Sequence, residues 1–328
     1  MSTSSTEATP LVAILGPTAS GKSALAIQLA EKLGGEVIVC DSTQLYRRFD
    51  IGTAKLSPAE QRGIAHHLVD LLEPEQVFTA GDYRRRALEV LADLRTRGKL
   101  PVFTVGTGLY FRALVEGLAD APARSEELRA RLRRRADAKS THYLHGVLKR
   151  LDAEAAARIS PRDTAKIIRA IEVSVLTGKP MTEVLRAGRT RLEGFVPIKI
   201  GLMPARAELY QRINQRVHAM LDAGWLKEVR SLLASGVPTT AKPFQFIGYG
   251  ELRAHLEGVV PLSVAVKAIQ QATRRYAKRQ VTWFRRETSM EWFSGFGDQR
   301  EIAMVALEYL TRHLGARRAS PATGAAGV

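Results

Sequence analysis

Hydrophobic residues in the first forty positions follow two patterns that alternate along the chain. Residues 11–15 are continuously apolar, which is typical of a strand buried on both faces. Leu25, Leu29 and Leu33 then recur at helical spacing, and two glycines end that segment. Residues 36–40 are again rich in strand-forming side chains. We therefore predict a strand, a helix and a second strand, in this order.

The same alternation continues up to about position 105. Leu88, Leu91 and Leu94 recur every three residues and predict a helix over 82–97, and residues 102–105 predict a third strand. Strands separated by helices in this way are joined by right-handed crossovers and lie parallel in one sheet. This part of the chain therefore predicts an α/β fold built on a parallel sheet.

The middle of the chain is rich in Arg, Ala, Leu and Glu and poor in strand formers. Residues 124–160 predict helices, and a further helix is predicted from about Pro161 to Thr177, ending at Gly178. Strand character returns at 196–202, and helices are predicted from there to about residue 314.

These patterns predict an α/β core that is interrupted by a helical insertion and then resumed. The core takes in residues 11–115 and 196–314, and the insertion takes in residues 116–195. The ends, residues 1–10 and 315–328, are polar or rich in small residues, and we expect them to be disordered.

The overall charge narrows the choice of partner. Lys plus Arg number 49 and Asp plus Glu 33, which gives a net charge of +16. Such an excess suits nucleic acid or a phosphorylated metabolite, although it also fits a basic surface that serves solubility alone. The single cysteine, Cys40, excludes an internal disulfide and a Cys-based zinc site. No apolar run approaches the roughly 20 residues of a membrane span, and we expect a cytoplasmic protein.

One motif identifies a phosphate site. The segment between the first strand and its helix fits G-x-x-x-x-G-K-[ST] at every position, and comprises Gly16, Pro17, Thr18, Ala19, Ser20, Gly21, Lys22 and Ser23. In such a loop the glycines allow a tight turn of inward-pointing N–H groups, the Lys supplies a cation and the Ser hydroxyl can bind Mg²⁺. The segment predicts a di- or triphosphate site without identifying the ligand.

A carboxylate follows the second strand. Asp41 is expected at the carboxyl edge of the sheet, where ligands bind in open α/β folds, and hence near the phosphate loop. It fits a group that binds Mg²⁺ through a coordinated water, a general base, or a carboxylate that only caps a helix or a turn. With Ser42 and Gln44 it also offers polar groups that suit the edge of a nucleic-acid base.

Several motifs occur together in this chain: GPTASGKS, DSTQLY, DIGTAK, VGTGLYFRAL, IGYGEL and KRQVTWFR. In this order they resemble the tRNA dimethylallyltransferases, over about Leu11 to Phe293. The resemblance implies a P-loop NTPase-like core with a helical insertion. It also implies transfer of a dimethylallyl group from dimethylallyl diphosphate to N6 of the adenosine next to the anticodon, at position 37 of the tRNA, giving N6-dimethylallyladenosine and diphosphate.

The resemblance also implies roles for individual residues. Asp41 matches the general base, and Thr107 matches a threonine at the reaction centre or the tRNA. The phosphate loop would hold the donor's diphosphate with Mg²⁺ on Ser23. Arg212 and Arg216, four residues apart on a predicted helix, are candidate diphosphate contacts, although a solvated basic face is an equally simple interpretation.

The resemblance implies a tRNA anticodon stem-loop as the partner, bound by a monomeric protein without zinc. The family's tRNA-contacting positions map onto several stretches of this chain. They are Asp41, Ser42, Thr43 and Gln44; Thr107; Arg129; Ala165, Lys166, Ile167, Ile168 and Arg169; Gln245, Phe246, Ile247, Gly248, Tyr249 and Gly250; and Lys278, Arg279, Gln280, Val281, Thr282, Trp283, Phe284 and Arg285. Between Lys267 and Arg286, seven basic residues and no acid are interleaved with aromatic residues, which suits backbone contacts and base stacking. An amphipathic core helix with a basic outer face would give the same pattern.

Three other functions remain open from the residues alone. A small-molecule kinase would use the same loop for ATP, but has no evident use for the basic helices. Prenyl transfer to free AMP, ADP or ATP is a close variant of the expected reaction. A nucleic-acid-binding P-loop protein without activity would need neither Asp41 at the sheet edge nor the segment that follows it.

Overall fold

Six parallel strands form the sheet at the centre of the molecule, in a computed structural model that describes residues 8–319, with side chains through residue 315. The order across the sheet is β3-β2-β4-β1-β5-β6, and every neighbouring pair is parallel. The strands are β1 (Thr9–Leu15), β2 (Gly35–Cys40), β3 (His66–His67), β4 (Leu100–Val105), β5 (Phe195–Leu202) and β6 (Met290–Phe293). The predicted α/β fold with a parallel sheet is confirmed.

The register of the central strands brings three loops to one edge of the sheet. Leu15 of β1 and Cys40 of β2 both lie beside Val105 of β4, so the three strands end at the same level. Because all three run in one direction, the phosphate loop, Asp41 and Gly106 emerge at this edge. β1 and β2 are almost wholly buried, as their continuous apolar runs require.

The chain divides into two compact units. The core unit takes in the described chain up to Leu114 and from Glu193 onward, and the helical unit is Val115–Leu192. The α-helices of the core unit are α1 (Lys22–Leu33), α2 (Ala80–Thr96), α3 (Gly108–Val115), α9 (Arg206–Asp222), α10 (Trp225–Ala234), α11 (Tyr249–Leu256), α12 (Leu262–Phe284) and α13 (Arg300–Ala319). A 3₁₀ helix, Lys242–Gln245, precedes α11.

The helical unit has a hydrophobic core of its own. Its helices are α4 (Glu126–Lys139), α5 (Thr141–Leu151), α6 (Ala153–Arg158), α7 (Thr164–Thr177) and α8 (Met181–Arg186). Leu132 of α4, Leu148 of α5 and Ile167 of α7 meet in this core. Gly178 ends α7 in the left-handed conformation that favours glycine, as the sequence pattern indicates.

The structure differs from the sequence prediction at the ends and in two strands. Thr9 and Pro10 belong to β1 rather than to a disordered end, and α13 continues to Ala319, past the predicted boundary at 315. Residues 1–7 and 320–328 lie outside the described part of the chain. β3 and β6 interrupt segments without predicted strand structure, and the helical unit starts and ends slightly earlier than 116–195. No helix among the described residues is both long and apolar enough to cross a membrane.

Candidate active site

The phosphate loop links β1 to α1 in a tight turn. Gly21 has φ 85°, a left-handed conformation that glycine adopts without strain, and a Cβ there would lie 2.7 Å from the backbone nitrogen of Gly297. Lys22 folds back over the loop and donates hydrogen bonds of 2.9 Å to the carbonyl oxygens of Gly16 and Pro17. The ammonium group therefore lies on the loop itself, where a bound phosphate chain would meet it.

Asp41 follows β2 directly and is held by its own turn. Its Oδ1 accepts hydrogen bonds from the backbone N–H and the hydroxyl of Thr43, at 2.9 and 2.8 Å. Its Oδ2 lies so close to Gly106 that a Cβ at that position would be 2.3 Å from it, so only glycine allows this approach. One carboxylate oxygen is thus fixed by hydrogen bonds, and the other is packed against the end of β4.

Thr107 joins the ends of β2 and β4. Its Oγ1 accepts a hydrogen bond of 3.0 Å from the backbone N–H of Ser42, and its hydroxyl donates to Ser42 Oγ at 3.2 Å. The backbone N–H groups of Gly106 and Thr107 both donate to the carbonyl oxygen of Cys40, at 3.0 and 2.9 Å. These bonds fix the residues on either side of Asp41.

Two adjoining cavities share Thr18, Asp41 and Arg216 among their lining residues. One of about 500 Å³ is lined by the phosphate loop from Thr18 to Ser23 and by Gln44. The other, of about 350 Å³, has a largely apolar wall contributed by Ile213, Val217, Met220, Trp225, Phe246, Ile269 and Tyr276. The carboxylate therefore stands where an anion-binding space meets an apolar one.

The two arginines on α9 have different surroundings. Arg212 makes a two-pronged ion pair with Asp298, at 2.8 and 2.6 Å, and its guanidinium stacks over the ring of Phe296. Arg216 lines both cavities and, among the described side chains, forms no ion pair. Burial lowers the pKa of Arg216, and so does Arg212, while Asp41 and Glu60 raise it. Of the two arginines, Arg216 is therefore the one whose guanidinium is not already held by a carboxylate among the described residues.

Burial makes the ammonium group of Lys22 costly to keep charged. Burial lowers its pKa to about 8; Asp41 counteracts that effect, and the positive charge of Arg216 adds to it. A dianionic ligand on the loop would reverse this penalty because it places negative charge against the ammonium group. Binding of a diphosphate should therefore be coupled to the protonation of Lys22.

We expect the affinity for inorganic pyrophosphate to decrease by roughly tenfold per pH unit above about pH 8. We expect the loop to bind the anion when the Lys22 ammonium group is protonated. The protonated fraction of Lys22 falls once the pH exceeds its pKa. Titration calorimetry between pH 6.5 and 9.5 measures this directly. In Lys22→Arg the guanidinium stays charged, so the same plot should be flatter. A constant affinity in the wild-type protein over this whole pH range would contradict the coupling.

The segment after Asp41 is braced by residues that its own sequence does not reveal. Glu228 on α10 accepts hydrogen bonds from the backbone N–H groups of Asp50 and Ile51, at 3.0 and 2.8 Å, and from the hydroxyl of Tyr249 at 2.7 Å. Gln44 donates to the carbonyl oxygen of Thr53 at 3.0 Å. The turn that faces the cavities is therefore fixed by a carboxylate far away in sequence.

The stretches predicted to contact tRNA contain both exposed and buried side chains. Lys278, Arg279 and Arg285 on or beside α12 are exposed, as are Ala165, Lys166 and Gln245. Ile167, Ile168, Tyr249, Gln280 and Phe284 are buried. Asp41 to Gln44, Phe246 and Ile247 are half-buried and line one or both cavities, whereas Thr107 is half-buried and lines neither. The buried side chains support neighbouring elements, so we assign no RNA contact to them.

Arg129 and Arg169, in the helical unit, share one buried carboxylate. Glu172 is fully buried and accepts hydrogen bonds from Arg129 at 2.8 and 3.0 Å, from Arg169 at 2.6 Å and from the backbone N–H of Ser125 at 2.9 Å. Both predicted tRNA-contacting arginines are thus structural partners of Glu172 in this conformation.

Magnesium, which the sequence resemblance implies, needs few protein ligands beside a diphosphate. Ser23 and Asp41 both line the larger cavity, and their side chains carry a hydroxyl and a carboxylate, which are oxygen ligands that Mg²⁺ accepts. Mg²⁺ bound to phosphates keeps several waters and takes one or two protein oxygens. The described residues contain no cluster of three or more His, Cys, Asp or Glu that would form a protein-only metal site. The residues present fit an ion that arrives with its substrate.

Comparison with known proteins places the chain in a family. The family model described as IPP transferase matches residues 44–287. A tRNA dimethylallyltransferase of Solibacter usitatus is 47% identical over 93% of this chain and 99% of its own length. One of Koribacter versatilis is 49% identical over 92% and 97%. The chain belongs to the IPP transferase family. The family resemblance predicted from the motifs is thereby confirmed.

Solved structures of this family share the fold. The full-length tRNA isopentenylpyrophosphate transferase of Bacillus halodurans is 35% identical, with a TM-score of 0.70 over 94% of this chain and 98% of that chain. A eukaryotic dimethylallyltransferase acting on tRNA is 24% identical with a TM-score of 0.80, a likeness that concerns the fold alone. The IPP transferase fold thus spans nearly the whole described chain.

Proposed function

We propose that this member of the IPP transferase family transfers the dimethylallyl group of dimethylallyl diphosphate to N6 of the adenosine at tRNA position 37, producing N6-dimethylallyladenosine and diphosphate. The observation that carries the proposal is the position of Asp41, between the phosphate loop and an apolar cavity. The N6–C bond forms as the C–O bond to diphosphate breaks, and the proton on N6 passes to the Asp41 carboxylate.

Different residues act on the nucleophile and on the leaving group of this reaction. An exocyclic adenine amine is a weak nucleophile, so a positioned base that takes its proton lowers the barrier. The loop N–H groups, Lys22 and Arg216 stabilise the negative charge that develops on the leaving diphosphate. Mg²⁺, held by Ser23 and the donor, would neutralise part of that charge. Thr107 keeps Ser42, and hence the base, in position.

The apolar cavity accounts for the hydrocarbon part of the donor. Ile213, Val217 and Ile269 line it together with Asp41, so a five-carbon chain gains stability there by leaving water. The same cavity includes Phe246 and Tyr276, whose rings suit stacking against an extruded base. A phosphoryl-transfer reaction has no need for such a wall, which favours prenyl transfer over the kinase alternative.

The RNA is the most suitable acceptor because α12 carries exposed cations beside the apolar cavity. Lys278 and Arg279 are exposed, and Arg279 also lines that cavity. A base presented in an anticodon loop is unpaired and can be drawn into such a site without opening a duplex. We propose that a single chain carries out the reaction, since the phosphate loop, Asp41 and Arg279 of that chain line the two adjoining cavities. We place the enzyme in the cytoplasm, where tRNA is found.

The test is incubation of the purified protein with tRNA and labelled dimethylallyl diphosphate, with and without ATP. We expect label in tRNA, at the adenosine next to the anticodon, without any requirement for ATP. Label in AMP, ADP or ATP but not in tRNA would show that the acceptor is a free nucleotide rather than tRNA. Dependence on ATP with no label transfer would favour the kinase alternative, and binding without either reaction would favour a non-enzymatic protein.

We expect Arg216→Gln to raise KM for the donor by about 10–100-fold, since it removes a partly buried cation facing the diphosphate. Arg212→Gln, four residues away on the same helix, should change this KM by no more than about threefold, because Arg212 already pairs with Asp298. Steady-state kinetics with the donor varied at saturating tRNA measure both. Equal effects of the two variants on KM would show that the ion pair with Asp298 does not keep Arg212 from binding the diphosphate.

Simultaneous replacement of Lys278 and Arg279 by Ala should weaken tRNA binding. The slope of log Kd against the logarithm of the salt concentration should fall by about 1–2. Each exposed cation that contacts a phosphate releases about one counterion from the RNA. Filter binding at several salt concentrations measures the slope. Lys227→Ala, on α10, removes one charge elsewhere in the core unit and is the control. A slope identical to that of the wild type would show that this part of α12 lies off the RNA.

A further inference from the structure

Gln280 connects the two halves of the proposed reaction centre. This side chain on α12 is 6% exposed. Its Oε1 accepts a hydrogen bond of 2.8 Å from the backbone N–H of Thr18, in the phosphate loop. Its Nε2 donates one of 2.8 Å to the carbonyl oxygen of Gly106, at the end of β4. One amide thus spans two loops that belong to different strands.

The far end of this bridge is fixed to the strand that carries Asp41. The N–H of Gly106 donates to the carbonyl oxygen of Cys40 at 3.0 Å, one residue before Asp41. The Asp41 carboxylate also packs against Gly106, where any Cβ would collide with Oδ2. A displacement of Gly106 would therefore move Asp41 relative to the phosphate loop.

Glutamine has the chemistry that this position requires. The side-chain amide of Gln280 faces one backbone N–H and one backbone carbonyl oxygen. Its own oxygen must accept from the first and its NH₂ must donate to the second, which fixes the orientation of the amide. Glutamate offers an acceptor but no donor, and leucine offers neither. Either replacement would leave a buried backbone group unpaired, which is unfavourable.

We propose that Gln280 is a positioning residue that sets the phosphate loop against Asp41, rather than a contact to tRNA. The proposal rests on the proposed function for its catalytic consequence. It assigns to one buried side chain a role different from that of its exposed neighbours Lys278 and Arg279. Loss of the bridge should misplace the diphosphate relative to the base, and small misplacements of reacting groups are costly.

The test compares Gln280→Glu and Gln280→Leu with Gln271→Leu, an exposed glutamine on the same helix. Inorganic pyrophosphate is titrated by calorimetry, tRNA binding is measured separately, and kcat/KM is measured for the donor. We expect both Gln280 variants to weaken pyrophosphate binding by at least fivefold and to lower kcat/KM by about 10–100-fold. The tRNA Kd should stay within about twofold. The Gln271 variant should change none of the three.

The outcomes separate this proposal from the proposed function. Pyrophosphate binding reports on the loop whether or not prenyl transfer occurs, so it remains informative if the reaction proves to be another. Unchanged pyrophosphate affinity in the variants would overturn the positioning role. Weakening of tRNA and pyrophosphate binding together would also overturn it, because it would indicate a general loss of folding. If the leucine variant does not fold, the glutamate variant carries the test.

Discussion

Asp41→Asn should lower the turnover of prenyl transfer by about 10²–10⁴-fold. Binding of tRNA, and binding of the donor at pH values well below the pKa of Lys22, should stay nearly unchanged. The replacement preserves the geometry because the amide oxygen can still accept both hydrogen bonds from Thr43. The NH₂ group takes the place of Oδ2 beside Gly106. What is lost is a group able to take the proton from N6. Single-turnover kinetics at saturating donor and tRNA isolate this step.

The same variant gives a second signal that is independent of turnover. The negative charge of Asp41 raises the pKa of Lys22, so its removal should lower that pKa further below about 8. Pyrophosphate binding in Asp41→Asn should therefore begin to weaken at a lower pH than in the wild type. Asp93→Asn, on the exposed face of α2, is the control and should change neither measurement. Wild-type turnover in Asp41→Asn would exclude this carboxylate as the base.

Local patterns in the sequence were sufficient for the centre of the sheet and the phosphate loop. Continuous apolar runs predict β1 and β2 because a strand covered on both faces has no polar positions to alternate. Gly21 could be placed because only a few residue types adopt its backbone conformation. The position of Asp41 follows from the same logic, since the carboxyl ends of parallel strands meet at one edge.

Contacts between distant parts of the chain could not be predicted in this way. Gln280 meets Thr18 across 262 positions, and Glu228 meets Asp50 across 178. β6 was missed because its four residues form a short edge strand whose pairing depends on β5. The pattern also cannot distinguish a cation that faces solvent from one with a buried partner. The resemblance assigns Arg129 to tRNA, and the sequence does not indicate that Glu172, 43 positions away, accepts hydrogen bonds from its guanidinium.

Glu172 supports the helical unit through charge as well as packing. Burial by itself raises its pKa, but the hydrogen bonds from Arg129, Arg169 and Ser125 outweigh that effect and lower the pKa to about 2. Since the pKa of Glu172 in the folded protein is below the ordinary glutamate value of about 4.5, the stabilisation is present above about pH 4.5. It should be lost as pH falls from there toward 2. The arginines stabilise this unit only while Glu172 is ionised.

Glu172→Gln should therefore destabilise the helical unit by about 3–5 kcal/mol, because it leaves the buried Arg129 without its counter-charge. The core unit has its own hydrophobic cluster and should be affected less. Hydrogen exchange of the full chain, followed by mass spectrometry, resolves the two units separately, which a single melting curve would not. Amides in Val115–Leu192 should exchange on the order of 10²–10³-fold faster at neutral pH.

Glu183→Gln is the matched control in the same unit, because the ion pair of Glu183 with Lys179 is largely exposed. It should cost less than about 1 kcal/mol and leave exchange nearly unchanged. If Glu172→Gln also left exchange unchanged, Arg129 and Arg169 would not depend on Glu172 for stability and would be available to a ligand. Faster exchange confined to the helical unit, with a normal pyrophosphate affinity, would instead show that Glu172 supports this unit without acting on the phosphate loop.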